Sequence, residues 1–281
     1  MQTVEKGAVS PGVGAAPMPR EHGAWVVLYA PMVIGIALAR PFAPLAQFFL
    51  LLAVTGAFLA REPAVQLMKG RERERSTFWL GVYGGILLLG AVPLLMTGAR
   101  AGLLIIGALA ALVFGTHSVL QLIPARKRLD RSQAGEVISV FGLTLTAPAA
   151  FVAANGAFDG YAGCVWIICA LYFAGGIFNV KANLTAVRLK RPLTSADRFR
   201  VGALNLLFHA GLLAMTLWFL VTFRTFGAWM LLLAYLPAVA RSVFDTRNLS
   251  HRLPPMKKLG WREAALSVWF VACVIVALTP R

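Results

Sequence analysis

The sequence predicts an all-α membrane protein, a bundle of nine transmembrane helices, and three observations carry that prediction. First, the 281-residue chain is 59% hydrophobic and 14% charged, whereas soluble domains carry about a quarter charged residues. Its mean hydropathy of +0.74 makes lipid the expected solvent. Second, its apolar residues gather in nine stretches, 24–39, 42–60, 77–97, 101–121, 134–154, 161–180, 201–222, 226–244 and 263–279, near the roughly 17–25 residues that cross a bilayer. Third, basic residues alternate along the segments between stretches. Counting Arg241 with the loop it precedes, 23 of the 27 Lys and Arg fall in one alternate set of segments and four in the other.

Short loops rich in Lys and Arg stay in the cytoplasm, so the alternation predicts an inner-membrane protein with its amino terminus inside and its carboxyl terminus outside. A miscount by one span would scramble the pattern. Ten of the eleven acidic residues, all but Asp159, lie on the same basic side. The net charge of +16 therefore reads as membrane topology, and no nucleic-acid partner is expected, since such proteins concentrate base on a soluble reading surface. Residues 1–19, MQTVEKGAVSPGVGAAPMP, lack an apolar signal region and read as a flexible tail ahead of a single membrane domain, 20–281.

The elements follow in order. Arg20-Glu21-His22 precede the first span, where Glu21 suits a helix amino terminus and the cluster also suits the mouth of a site; Pro31 and Gly35 lie within that span. Only Arg40-Pro41 separate it from the second, which is expected to bend or end at Glu62-Pro63, because proline removes the bond to the carbonyl of Leu59. His117 lies in the fourth span and His209 in the seventh, ionisable groups in the membrane that raise a functional question. Neither has metal ligands at helical spacing, and His209 with Asn205 suits a polar contact between helices. The basic turn Arg126-Lys127-Arg128 precedes the fifth span. Cys164, Cys169 and Cys273 sit in apolar runs without Cys-x-x-Cys spacing and read as core residues. Trp25, Trp79 and Trp261 fall at interfacial positions, while Trp166, Trp218 and Trp269 lie deeper, as packing or stacking groups. Arg241 and Asp245, one turn apart, are expected to pair, and Pro254-Pro255 and Gly260 mark the last turn.

Two basic connections are long: AREPAVQLMKGRERERS, 60–76, and NVKANLTAVRLKRPLTSADRF, 179–199. The approaches Gly56-Ala-Phe-Leu-Ala-Arg61 and Gly176-Ile-Phe-Asn-Val-Lys181 share three positions at an offset of 120 residues, a weak sign of internal duplication of the kind that sets a site between two halves. Asn179 and Asn183, spaced i and i+4, share a helix face. With Lys181, Arg188, Lys190 and Arg191, and with Arg61, Lys69 and Arg71 from the other connection, they form a candidate anion site, in which Arg contacts phosphate oxygens directly. The plainer reading is that these cations snorkel to anionic lipid.

The stretch PREHGAWVVLYAPMVIGIALA with its Arg20, Pro31 and Gly35, the basic turn 126–128 and the polar ends of spans 2 and 6 resemble the UbiA superfamily of nine-helix intramembrane prenyltransferases. PREHGAW with the nine-span layout is more similar to the YwiC-like family of uncharacterised bacterial membrane proteins, over nearly the whole chain. The first resemblance implies a UbiA-like bundle and an isoprenoid or quinone-related ligand. It also implies magnesium held by aspartate-rich motifs at the ends of spans 2 and 6, and here the chain departs from the pattern. The first region offers only Glu62, with Gln66 and Lys69; the second offers Asn179, Lys181, Asn183 and Arg188, with no acid before Asp197. Magnesium needs carboxylate or phosphate oxygens, so no metal and no cofactor is expected.

The expected activity is accordingly binding, without magnesium-dependent prenyl transfer, of an anionic lipid or an isoprenoid or quinone-related ligand at a cytoplasm-facing cavity. The candidate residues are Arg20, Glu21, His22, Arg61, Glu62, Lys69, Asn179, Lys181, Asn183 and Arg188, and the sequence assigns no catalytic group among them. A transporter or channel is the alternative, disfavoured by the scarcity of charge inside the spans, and a scaffold would show the same basic loops.

Overall fold

The computed structural model describes residues 15–18, 22–96, 99–122, 132–252 and 256–279. Those residues fold into ten helices: α1 (His22–Leu38), α2 (Pro44–Met68), α3 (Arg73–Leu95), α4 (Arg100–Leu122), α5 (Gln133–Leu143), α6 (Thr146–Asn155), α7 (Gly160–Arg188), α8 (Ser195–Phe223), α9 (Phe226–Arg247) and α10 (Met256–Leu278). α5 and α6 together make one span, Gln133–Asn155, so eight segments are long and apolar enough to cross a membrane, and α1 adds a shorter apolar helix. The nine predicted stretches thus each correspond to one apolar helical segment, eight of them long enough to cross a membrane.

Local chemistry sets the helix ends. The side chains of Ser132, Asp159 and Thr225 accept from the backbone N–H of Gly135, Ala162 and Ala228, at 3.1, 2.8 and 3.2 Å, satisfying donors that a helix start leaves unpaired. α8 opens on a capping box between Thr194 and Asp197. Arg191 closes over that box, its two terminal nitrogens on the Asp197 carboxylate at 2.7 and 2.9 Å.

Two expectations about helix ends are corrected. Pro63 does not end the second span: α2 runs on to Met68 with Pro63 buried inside it, because a proline removes one backbone donor and a packed helix keeps the rest. Nor does the sixth span end at Asn179, since α7 continues to Arg188. The two long connections therefore shrink to residues 69–72 and 189–194.

The core forms where small residues let backbones approach. A side chain at Gly35 would place its Cβ 2.1 Å from the Ala147 carbonyl oxygen, so α1 and α6 touch backbone to backbone. α2 and α3 form an equally close hairpin, with Gly56 against the backbone of Leu87 and Gly90 against that of Ala53. Gly176, the counterpart of Gly56 in the proposed duplication, faces open space, so the two matched stretches do different work. α1 packs on α5, α6, α7 and α10, and its Ile34 is buried with Val152, Val165, Tyr235 and Phe270. The outer surface is apolar: Leu89, Leu112, Leu207 and Trp218 are each at least 65% exposed, a surface that requires hydrocarbon for solvent.

The fifth span breaks at Thr144 and Leu145, both buried. A broken helix in a membrane survives only where something satisfies its backbone. Here the Trp166 indole donates to the Phe141 carbonyl at 2.9 Å, Thr144 to that of Val140 at 2.9 Å, and Thr146 to that of Leu28 in α1 at 2.6 Å. The protein's own side chains occupy the break, so Trp166 serves packing and hydrogen bonding at this point.

Candidate functional site

Helices α7 to α10 carry a polar cluster at the ends nearest the basic loops. Its centre is Asp245 of α9, with a side chain 9% exposed. Arg262 of α10 grips this carboxylate with two nitrogens, at 2.8 and 2.6 Å, and Asn179 of α7 donates its amide N–H to the same carboxylate at 2.8 Å. One turn earlier in α9, Arg241 pairs with Glu263 of α10. Arg241 and Asp245 therefore do not pair with each other: each finds an opposite charge on α10, because the α9–α10 interface is the drier place to neutralise a charge. The cluster's two cations and two carboxylates balance.

Deeper in the bundle, α8 contributes Asn205 and His209, 2% and 1% exposed. The His209 Nδ1 lies 2.9 Å from the Asn205 backbone carbonyl, a contact within one helix, whereas the expectation for this pair was a link between helices. Asn205 makes the cross-helix contact instead, a long 3.4 Å one to the Thr246 hydroxyl of α9. The His209 Nε2 rests on Gly175 of α7, where a Cβ would lie 2.9 Å from it. α7 and α8 are joined by a short turn and run antiparallel, so the level shared by Gly175 and His209 is followed one turn on by a level shared by Asn179 and Asn205. Stacked rings flank these levels: Phe178 on Phe208, with centroids 4.2 Å apart, and Tyr172 on Phe270, at 3.7 Å.

Several buried polar atoms in this cluster have no hydrogen-bond partner among the described residues: Asn179 Oδ1, Asn205 Oδ1, His209 Nε2, Arg241 Nε and Arg262 Nε. An unpaired polar group in a dry interior costs about 1–3 kcal/mol, so five in one place mark a region equipped for more than packing. Three belong to residues at least nine-tenths buried on α7 and α8.

The sequence candidates are placed as follows. Arg20 and Glu21 lie outside the described residues, as does the turn 126–128, and His22 opens α1. Arg61 meets His117 of α4, Nη2 to Nδ1, at 3.1 Å. Glu62 accepts from Gln66 at 3.2 Å, one turn along α2, and Lys69 and Arg188 are exposed. Lys181 pairs with Glu136 of α5 at 2.5 Å. Asn183 donates back to the Asn179 carbonyl at 2.9 Å. Apart from His22, the described candidates thus divide into a group at the end of α2, reaching α4 through Arg61, and another on α7, reaching α5 through Lys181 and α9 through Asn179, because α2 packs mainly on α3 while α7 packs on α5, α6 and α8. Of the ten candidates, Asn179 enters the buried cluster. Asn205, His209, Arg241, Asp245, Arg262 and Glu263 complete it, and their common signal in the sequence was a polar residue inside or at the end of an apolar span.

No three His, Cys, Asp or Glu side chains gather as a metal-binding group among the described residues. An apolar groove of about 430 Å³, lined by Ala43–Ala46, Phe49, Pro93 and Leu94, lies at the opposite ends of α2 and α3, away from the basic loops where a cavity was expected.

Comparison with known proteins finds similarity to one family over part of the chain. The family described as YwiC-like protein matches residues 18–151, from ahead of α1 to within α6. Two relatives extend the similarity over both halves. An "Uncharacterized protein" of Haemophilus influenzae is 24% identical, with 92% of this chain and 96% of that protein covered. The "Uncharacterized protein YwiC" of Bacillus subtilis is 25% identical, with 93% and 98% covered. No solved structure matches.

Proposed function

For a chain that is YwiC-like over residues 18–151 and crosses a membrane many times, we propose binding of an amphiphile: its polar head enters the α7–α10 cluster while its tail lies along the bundle's apolar surface. The observation that carries this reading is the group of buried, unpartnered polar atoms around Asn179 and Asn205. Membranes supply amphiphiles at high local concentration, and a hydrogen-bonding head at this depth satisfies groups that would otherwise be orphaned. The exposed cations at the end of α7, Arg188 and Lys190, favour an anionic lipid or a phosphorylated isoprenoid at the outer edge of the site. Magnesium-dependent prenyl transfer forms no part of the proposal, since the acids near Asn179 are already engaged by Arg241 and Arg262. The site faces the cytoplasm of a bacterial inner membrane, with the amino terminus inside, as the distribution of basic residues requires under the positive-inside rule.

Two measurements test this. Full-length protein purified in mild detergent should carry a defined lipid by mass spectrometry, and farnesyl diphosphate or phosphatidylglycerol should raise its melting temperature by several degrees. Asn179→Ala should lose most of that ligand-induced rise. If no lipid copurifies, no amphiphile stabilises the protein and the variant responds as wild type does, the reading falls. For orientation, single cysteines at positions 3 and 281 in a cysteine-free background should react with an impermeant maleimide from opposite faces; labelling from the same face overturns the topology.

A further inference from the structure

The chemistry of the bound head follows from the kind of atom the cluster leaves unpaired. The Asn179 Nδ2 donates to Asp245, which turns Oδ1, an acceptor, toward the interior. The Asn205 Nδ2 faces Thr246, which again leaves Oδ1. The His209 Nδ1 faces a backbone carbonyl, and a carbonyl only accepts, so in the neutral ring the proton is on Nδ1 and Nε2 offers a lone pair. All three of these buried, unpartnered atoms are therefore acceptors, and they occupy two adjacent levels of the α7–α8 interface, one helical turn or about 6 Å apart.

Three acceptors repel an anionic group. A cation would meet the charges of Arg241 and Arg262, whose carboxylate partners already balance them, and burying a further net charge here is strongly unfavourable. A neutral hydroxyl meets neither obstacle. It donates to an asparagine oxygen or to imidazole nitrogen, and its own oxygen accepts from the free Nε–H of Arg241 or Arg262. We propose that Asn179, Asn205 and His209 form a hydrogen-bond-accepting site in which one of the three takes the proton of an uncharged hydroxyl, an alcohol or a phenol, carried on the inner part of the amphiphile's head. The inference rests on the reading that an amphiphile's head enters this cluster, and it assigns that head's inner group.

The test compares a matched pair of probes on the full chain in lipid nanodiscs. Farnesol and farnesyl methyl ether share a tail and an oxygen, but only the alcohol donates. Loss of one such bond at a buried acceptor weakens binding about tenfold or more, so farnesol should bind at least tenfold tighter than the ether. Asn205→Leu, which removes one acceptor while keeping side-chain volume, should narrow that gap. A readout independent of any variant is the set of resonances at the three acceptors, the His209 Nε2 ¹⁵N and the Asn179 and Asn205 side-chain carbonyl ¹³C, at least one of which should move on adding farnesol while all stay in place with the ether. Equal binding of both probes, or no resonance of the three moving, overturns the hydroxyl site in favour of simple tail binding or a buried water at the acceptors, and leaves the amphiphile reading standing. Binding of farnesyl diphosphate with no binding of farnesol has the same effect. If farnesol, the ether, farnesyl diphosphate and phosphatidylglycerol all fail to bind, the inference and the reading beneath it fall together.

Discussion

The two ion pairs between α9 and α10 bury opposite partners, and that difference makes a prediction about which truncation does more damage. In the Asp245–Arg262 pair the carboxylate is 9% exposed and the guanidinium 38%; in the Arg241–Glu263 pair the guanidinium is 7% exposed and the carboxylate 39%. Removing the exposed member leaves a buried charge uncompensated, at about 3–5 kcal/mol. Removing the buried member leaves a charge that can turn to water or headgroups, and the loss falls to about 1–2 kcal/mol, nearer that of surface pairs. Arg262→Ala should therefore destabilise the protein more than Asp245→Ala, and Glu263→Ala more than Arg241→Ala. The order inverts by residue type between two pairs one turn apart. Asn179 also donates to Asp245, which raises the cost of Asp245→Ala by about 1 kcal/mol for its lost partner and narrows the first gap without closing it. The measurement is equilibrium unfolding of the four variants in mixed micelles, with each double variant completing its cycle. Equal losses within each pair, or damage that follows the sign of the charge and not its burial, would refute the reasoning.

Two further predictions concern the backbone contacts that shape the bundle. Gly35→Ala should destabilise the protein by about 1–3 kcal/mol through overpacking, because its Cβ meets the Ala147 carbonyl, while Gly176→Ala, in open space on a helix, should be neutral or stabilise by about 1 kcal/mol through helix propensity; thermal melts of both variants check this. Trp166→Phe keeps the ring against Phe141 but removes the donor to its carbonyl at the broken fifth span, which should cost about 1–3 kcal/mol and speed hydrogen exchange across residues 141–146.

The number of passes was legible in the sequence because it depends on a one-dimensional property, the length of chain that hydrocarbon will accept. Even the division of the fifth span into α5 and α6 leaves that count intact, since Trp166 supplies a donor to the Phe141 carbonyl and Thr146 ties the break to α1 without adding a loop. The helix ends were less legible. Proline at 63 and asparagine at 179 looked like stops, yet both sit inside helices, because packing outweighs a single unfavourable residue.

Partner choice was the part that sequence could not supply. Arg241 and Asp245 are one turn apart and of opposite charge, sufficient reason to pair them on an isolated helix. Once α10 covers that face, Glu263 and Arg262 offer contacts farther from water, and the local pair yields to two pairs across the interface. Likewise Arg61 and Lys181 stand at matching places in two similar stretches, but α2 delivers one to His117 and α7 the other to Glu136. Composition and hydropathy alone determined a helical membrane protein with nine apolar segments, because solvation acts on every residue independently of its neighbours. Only the tertiary structure decided that Asn179 of α7 comes beside Asn205 and His209 of α8, because a hydrogen bond acts over about 3 Å and depends on which helices the packing has made adjacent.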